Sequence, residues 1–441
     1  MKRPNILFIV ADDLGYADLG CYGGREASFG VVSPVLDALA ANGLRFTQGY
    51  SNSPVCSPTR FSLITGRYQY RLRGAAEEPL NSVTRASTTL GMLPEHPTLP
   101  SLLSAAGYRT ALVGKWHLGY PPAFGPLKSG YEEFFGPMSG GVDYFTHRSG
   151  PGHHDLWEGE AEHEDDGYLT DLLSQRAVGY VRRMAAGARK DQPFLLSLHY
   201  TAPHWPWETR DDRATSAEVK DHLFHLHGGN VETYRRMIHH MDEGIGWVVQ
   251  ALREEGLLDN TLVIFTSDNG GERFSDNWPL VGGKMDLTEG GIRVPWIIHW
   301  PAVVAPGGVT SQHCMTMDWT ATVLDVAGVL AHPDYPLDGV SMRPVLKNAR
   351  ARFQRPMHWR MNHRGQRALR DGDWKYLRVD GNDYLFDLSA DERERANLGG
   401  RQPQRLANMQ RAWEEWNASM PAIPADAKVS LGYSVRDMPQ R

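Results

Sequence analysis

Four short apolar runs in this 441-residue chain stop abruptly at residues able to do chemistry. Ile6 to Val10 leads into Asp12 and Asp13, and Thr110 to Val113 leads into Lys115 and His117. Phe194 to Leu198 leads into His199 and then His204, in a turn stiffened by Pro203 and Pro206, while Thr261 to Thr266 leads into Asp268 and Asn269. The two acidic pairs offer three carboxylates and one amide oxygen, a donor set suited to a hard divalent cation such as Ca²⁺, with Mg²⁺ as the alternative. A Cys/His ligand cluster is missing, which argues against zinc. His117 and His204 are candidate acid and base. Lys115, Lys284 and Arg60 supply positive charge for an anionic group. Lys115 and His117 lie two residues apart, so they project the same way if the strand continues.

These residues are far apart in sequence, and only a particular fold gathers them. Each run has the length of a buried strand and is partly β-branched or aromatic. Helical spacing lies between the runs: Pro34 to Asn42 with a stop at Gly43, Leu99 to Ala106 with a stop at Gly107, then Tyr168 to Met184 and Val231 to Glu255. Strand and helix in alternation predict an α/β fold with a large, mainly parallel sheet covered by helices on both faces. Ligands in such sheets bind beyond the carboxyl ends of the strands, where all four chemical clusters sit. Near residue 335 the character changes, and Arg, Asp and turn residues take over. The expected division is a catalytic domain over 1–335 and a small α+β subdomain with an antiparallel sheet over 336–441. In the latter, Trp374 to Val379 and Tyr384 to Leu388 read as strands, joined at Gly381-Asn382-Asp383, with a helix from about Gln404 to Trp416. Ser139 to Asp166 reads as one long loop.

The most specific stretch is Pro54-Val55-Cys56-Ser57-Pro58-Thr59-Arg60, followed by Thr65-Gly66-Arg67. Cys-x-Pro-x-Arg with that Thr-Gly-Arg resembles the signature of the type I sulfatases, which are alkaline phosphatase-like in fold. Further landmarks follow in the family's order: Asn5 to Asp13, Gly114-Lys115-Trp116-His117, Thr201-Ala202-Pro203-His204, Thr266 to Gly270, and Glu289 to Pro295. Asp371 to Tyr376 with Leu385 to Leu388 looks like the family's C-terminal part, so the resemblance covers nearly the whole chain.

The resemblance implies a sulfuric ester hydrolase that releases sulfate from an organic sulfate monoester, an aryl sulfate or a sulfated carbohydrate. It implies that Cys56 is converted to Cα-formylglycine and that Asp12, Asp13, Asp268, Asn269 and the modified Cys56 bind the metal. A thiolate is a soft ligand and matches Ca²⁺ poorly, whereas an aldehyde hydrate is hard and carries two hydroxyls. One hydroxyl attacks sulfur and the second drives release, a form of covalent catalysis. By the same resemblance, His117 takes the proton of the second hydroxyl and His204 with Lys284 serves the leaving oxygen. Lys115 and Lys284 hold sulfate oxygens, and Arg60 orients the hydrated aldehyde. A formylglycine-generating or equivalent enzyme is the implied partner.

Bulk properties set the outer bounds. A net charge of −6 and a pI near 6.3 give no reason to expect nucleic acid as a partner. The apolar run after Lys2 and Arg3 is too short for a secretory core, and no stretch is long enough to span a membrane. The expectation is a cytoplasmic protein as the chain stands, and a periplasmic or secreted one if a leader was removed. Three cysteines, Cys21, Cys56 and Cys314, make no disulfide framework, and Cys21 and Cys314 read as buried thiols. Two rival functions remain. A phosphonate monoester or phosphodiester hydrolase can share the Cys-derived aldehyde, and a two-zinc phosphatase would need further ligands, for which His199 and His299 are candidates. A non-catalytic binder of the same fold would require lost catalytic residues, and none is lost. Trp205, Trp207, Trp278, Trp157, His147, His153 and His154 are candidate lining for a sugar subsite.

Overall fold

The computed structural model describes residues 2–24, 30–150, 152–186, 191–219 and 228–431. Its centre is a ten-stranded sheet in the order β11-β2-β10-β9-β1-β8-β4-β5-β6-β7. The four strands expected from sequence are β1 (Asn5–Ala11), β4 (Arg109–Gly114), β8 (Phe194–His199) and β9 (Thr261–Ser267). They are contiguous in the middle of the sheet, β9-β1-β8-β4, and each pairs with its neighbour in parallel. The short strands β2 (Leu44–Phe46), β5 (Glu133–Gly136), β10 (Trp296–His299) and β11 (Gly308–Thr310) extend it on either side. β10 runs antiparallel to both β9 and β2, which makes the sheet mixed.

Side chains alternate faces along a strand, and both faces here are dry. Leu7, Ile9, Val263 and Phe265 pack on one side with α1 (Pro34–Ala41), α4 (Leu169–Ala185) and α5 (Val231–Glu254). Ile6, Phe8, Leu262 and Ile264 pack on the other with α2 (Cys56–Thr65), α3 (Leu99–Ala105) and α6 (Thr316–Ala327). This double cover explains why the strands read as unbroken apolar runs rather than alternating ones.

The segment expected to be one long loop is partly ordered. β6 (Trp157–Glu158) and β7 (Ala161–Glu162) form a small hairpin that continues the sheet past β5. A two-stranded pair, β3 (Gly49–Tyr50) with β12 (Cys314–Met315), stands apart from the main sheet. Cys314 is buried as expected, but Cys21 is only half-buried.

A second, antiparallel sheet of four strands follows: β13 (Met357–Arg360), β14 (Arg367–Asp371), β15 (Trp374–Val379) and β16 (Asn382–Asp387). The connection between β15 and β16 is tighter than Gly381-Asn382-Asp383. Val379 pairs with Asn382, and Asp380 and Gly381 both have positive φ, as a two-residue Asp-Gly turn requires. Helix α7 (Pro403–Ala418) covers this sheet through Met409 and Trp413.

A buried ion cluster joins the two sheets. The Lys375 ammonium on β15 lies 2.9 Å from Glu289 Oε1 and 2.8 Å from Glu394 Oε1, all fully buried. Tyr50 donates to Glu289 Oε2 at 2.6 Å. Removing the cation takes from Glu394 its ion-pair partner and leaves Glu289 only the more distant Arg370 (3.6 Å) and Arg293 (3.8 Å). Lys375→Ala is therefore expected to lower the unfolding free energy by about 3–5 kcal/mol. Denaturant titration checks this, and a loss below about 1 kcal/mol, the range of an exposed pair, would contradict it.

Candidate active site

β1 and β9 are in register from Asn5 with Thr261 to Ala11 with Ser267, so the two acidic pairs leave the sheet side by side. The Asp268 amide donates to the Ala11 carbonyl (3.1 Å), and the Asn269 side-chain amide donates to Asp13 Oδ1 (2.7 Å). Asp12, Asp13, Asp268 and Asn269 are all buried. Asp13 sits at φ 63° and His117 at φ 58°, in the left-handed region that few non-glycine residues adopt. Such strain persists where the surroundings over-determine it, often at working sites.

Each buried acid meets its own cation, brought from a different part of the chain. Lys115 closes on Asp12 Oδ2. Lys284 Nζ lies 2.6 Å from Asp13 Oδ2. Arg60 reaches Asp268 Oδ2 through Nε (3.0 Å) and Nη2 (2.9 Å), and its Nη1 donates to the Lys115 carbonyl (3.1 Å). Burial works to raise the Asp13 carboxyl, but Lys284, His204 and the Asn269 amide outweigh it and hold Asp13 at about 2. Burial and the neighbouring Asp12 push the Asp268 carboxyl up, against the pull of Arg60 and Lys115.

Cys56 opens α2 as its first helical residue, after Val55 in extended conformation. Every residue of α2 is buried, and Gly66 ends it at φ 67°. The positive end of the helix dipole therefore points at position 56, which favours an oxyanion there. The unmodified thiol gains little from it. Burial pushes Cys56 up far beyond neutrality, and Lys115 and Lys284 offset that only in part. A plain Cys56 is thus a neutral thiol, not a nucleophile.

Asp12, Asp13, Cys56 and His204 each offer one donor atom, and these atoms lie within 4.8 Å of one another. Asp12 Oδ1 and Asn269 Oδ1 are buried without a hydrogen-bond partner in the protein. Buried polar atoms of this kind call for a partner. Carboxylate and amide oxygens suit a hard cation, so the donor set fits the expected metal. His204 lies against the acids: its Nε2 is 3.5 Å from Asp13 Oδ2. His199 instead places Nδ1 3.4 Å from Arg60 Nη1, and His299 lies on β10, so neither joins a second ligand set among the described residues.

β4 does not continue past Gly114, so Lys115 and His117 do not project together as strand neighbours. The backbone turns, and the His117 amide donates to the Met138 carbonyl (3.1 Å). His117 Nε2 lies 2.7 Å from the Leu80 carbonyl, an acceptor, so Nε2 carries the hydrogen. His117 Nδ1 then holds the lone pair, and it is buried without a partner. His204 is reversed: its Nδ1 lies 2.7 Å from the Trp205 carbonyl, which leaves the Nε2 lone pair toward Asp13 and Lys284. Burial, then Lys115, push His117 well down, while burial, then Lys284, push His204 down to about 3 against the pull of Asp13. Both rings are neutral at neutral pH.

These groups form the floor of a cavity of about 140 Å³, lined also by Pro79, Leu80, Gly140, Gly141 and Trp205. Of the aromatic and histidine residues expected to line a sugar subsite, only Trp205 does so. Trp207 packs against Phe274 in the core, Trp157 donates to Asp155, and exposed Trp278 carries Arg393 over its ring. His147 is buried, and neither His153 nor His154 reaches the cavity. Sequence reading missed the Ser139-Gly140-Gly141 turn. Asp155 pins it by accepting from the Met138 (3.2 Å) and Ser139 (2.9 Å) amides. A methyl group on Gly140 would stand 2.4 Å from His117 Cε1. The Gly-Gly pair was the available signal.

The family model described as Sulfatase matches residues 4–329. The chain belongs to the sulfatase family. A second model, N-sulphoglucosamine sulphohydrolase, C-terminal, matches residues 283–415 of this sulfatase. N-acetylgalactosamine-6-sulfatase of Homo sapiens is 33% identical over 379 residues, 81% of this chain and 68% of that protein. Arylsulfatase A of Homo sapiens is 33% identical over 376 residues, 78% and 68% of the respective chains. The sulfatase spans 66–68% of the length of the N-acetylgalactosamine-6-sulfatases it matches. The crystal structure of Ps i-CgsB in complex with k-i-k-neocarrahexaose superposes with a TM-score of 0.83 and 32% identity, covering 95% of this chain and 94% of that one. The relatives are named as sulfatases, and the phosphonate hydrolase alternative is not favoured. No helix among the described residues is long and apolar enough to cross a membrane.

Gly140→Ala tests the cavity wall. The added methyl must push the His117 ring or the turn aside, and kcat for an aryl sulfate is expected to fall by about 10²-fold, as a 1 Å misplacement can do. Unchanged kcat in a variant that melts with the parent would contradict the placement of His117.

Proposed function

We propose that this sulfatase releases inorganic sulfate from a sulfate monoester of a carbohydrate, with small aryl sulfates as surrogate substrates, through Cys56 converted to formylglycine. The observation that carries the reading is position 56 itself: a buried helix start facing three acids, each matched with a cation. The apolar wall with Trp205 suits a sugar ring. Relatives named for N-acetylgalactosamine 6-sulfate, and a neighbour solved with a neocarrahexaose, support a carbohydrate.

Asp12, Asp13, Asp268, Asn269 and a hydroxyl of converted residue 56 would hold the divalent cation, Ca²⁺ or Mg²⁺. When bound, that ion supplies charge that favours the ionised hydroxyl and offsets charge on the sulfuryl oxygens. The chain's own groups do the rest. Lys115 and Lys284 hold sulfate oxygens, and Arg60 orients the hydrated aldehyde. One hydroxyl of residue 56 attacks sulfur, the S–O bond to the alcohol breaks, and residue 56 carries the sulfate. His204, with Lys284 on the same carboxylate of Asp13, serves the leaving oxygen. His117 Nδ1 then removes the proton of the remaining hydroxyl. The carbonyl re-forms, sulfate is expelled, and water regenerates the hydrate.

Cys56 is 2% exposed and lies within a fully buried helix. A formylglycine-generating enzyme must therefore reach it before the chain folds. Conversion lowers the mass by about 18 Da, which intact-mass spectrometry reads directly. Cys56→Ala is expected to abolish turnover of 4-nitrophenyl sulfate. Activity near that of the parent in this variant would overturn the mechanism.

Chelation offers an independent test. Treating converted enzyme with EGTA and EDTA is expected to lower both activity and melting temperature, with Ca²⁺ or Mg²⁺ restoring both. Full activity after exhaustive chelation, with metal analysis below stoichiometry, would contradict a resident cation.

A further inference from the structure

The cavity above the catalytic floor is completed by a piece of chain from the far end of the sequence. Val429 bridges Glu78 in parallel. The Glu78 amide donates to the Lys428 carbonyl (2.9 Å), and the Glu78 carbonyl accepts from Ser430 (2.9 Å) and Leu431 (3.3 Å). Ser430 Oγ donates to the Pro79 carbonyl at 2.6 Å, and the Lys428 amide donates to Glu77 Oε2 at 3.2 Å. The Glu78 carboxylate reaches the other way. Its oxygens accept from the Asn362 (2.7 Å) and His363 (2.9 Å) amides, just after β13. The Leu80 amide donates to Ser57 Oγ on α2 (2.9 Å). The stretch from Glu78 to Leu80 is thus held by α2, by the C-terminal sheet and by residues 428–431. Its Leu80 carbonyl is the one that fixes the hydrogen of His117.

This construction has a consequence for the substrate. The cavity floor of Cys56, His117, His204 and Lys284 is polar and must take the sulfate. Its apolar lining comes from Pro79, Leu80, Trp205 and Leu431, beside Gly140 and Gly141 and the polar Asn81, Ser139, Ser149 and Ser430. The carbon skeleton of the alcohol has to lie between them. Leu431 is only 8% exposed, although it belongs to no strand or helix, and it lines the cavity. Resting on the sulfatase reading, we propose that Leu431 is a specificity-determining residue. Carried to the cavity by the pairing of residues 428–431 with Glu78, it packs against the alcohol half of the substrate and sets the size of alcohol admitted.

The test uses the full-length converted enzyme and steady-state kinetics on 4-nitrophenyl sulfate and on a 6-sulfated disaccharide. Leu431→Ala is expected to raise KM for 4-nitrophenyl sulfate about tenfold, as loss of roughly two methylene-sized contacts implies, with kcat changed less than about threefold. Val429→Ala, at the 38% exposed neighbour that does not line the cavity, is expected to leave KM within about twofold. Leu431→Phe keeps the site apolar but narrows it. It is expected to depress kcat/KM for the disaccharide more than for the aryl ester, and it serves if the alanine variant melts early. Parental KM values in both Leu431 variants, or equal effects at Val429 and Leu431, overturn the proposal. Failure of the unaltered converted enzyme to hydrolyse either ester overturns the sulfatase reading, and the proposal with it.

Discussion

Three carboxylates buried at the carboxyl ends of two central strands cannot stand alone, and much of this molecule answers that constraint. Taking a charge out of water costs several kcal/mol per ion, and only partners at short range offset it. Here each acid has a partner from a separate element: Arg60 from the buried α2, Lys115 from the turn after β4, and Lys284 from the loop before Glu289. The arrangement explains why α2 is buried along its whole length and why the loop after Leu280 is tied down. The Lys284 amide is bonded to Gly271 and the Met285 amide to Pro54. It also leaves Asp12 Oδ1 and Asn269 Oδ1 buried without a hydrogen-bond partner in the protein.

The same balance decides what position 56 can be. Burial that suits a cation cage is hostile to a thiolate, and the thiol of Cys56 stays protonated. The proposed oxidation would remove that obstacle by replacing sulfur with oxygen, whose affinity for a hard cation and for the helix start is better. The two histidines are pushed down for a related reason, burial first and then a neighbouring lysine, Lys115 for His117 and Lys284 for His204. A neutral ring fits His117 as a base.

What could be read from sequence divides by the range of the forces involved. β1, β4, β8 and β9 were legible because double burial writes an unbroken apolar run, and their polar ends because sheet topology dictates where such ends meet. Strands of two to four residues, such as β2, β5 and β10, carry too little pattern. The reversed exposure of the loop after Ser139 was illegible for another reason. Glycines, rather than its many histidines, approach the site, because only a missing side chain fits against His117. His204 was legible as a residue near the proposed cation, but its 3.5 Å approach to Asp13 was not, since two prolines set a turn without revealing its direction. The pairing of residues 428–431 with Glu78 joins segments about 350 positions apart through main-chain bonds, which leave no mark on side-chain pattern.

The cation cage is the claim on which the mechanism rests. Crystals of converted protein grown with Ca²⁺ and measured for anomalous scattering would test it directly. The account predicts a single strong peak bounded by Asp12, Asp13, Asp268, Asn269 and residue 56, with the Lys115 and Lys284 ammonium groups displaced toward the cavity. A map without a peak there, or one with the ion bound at other residues and the lysine pairs intact, would contradict it.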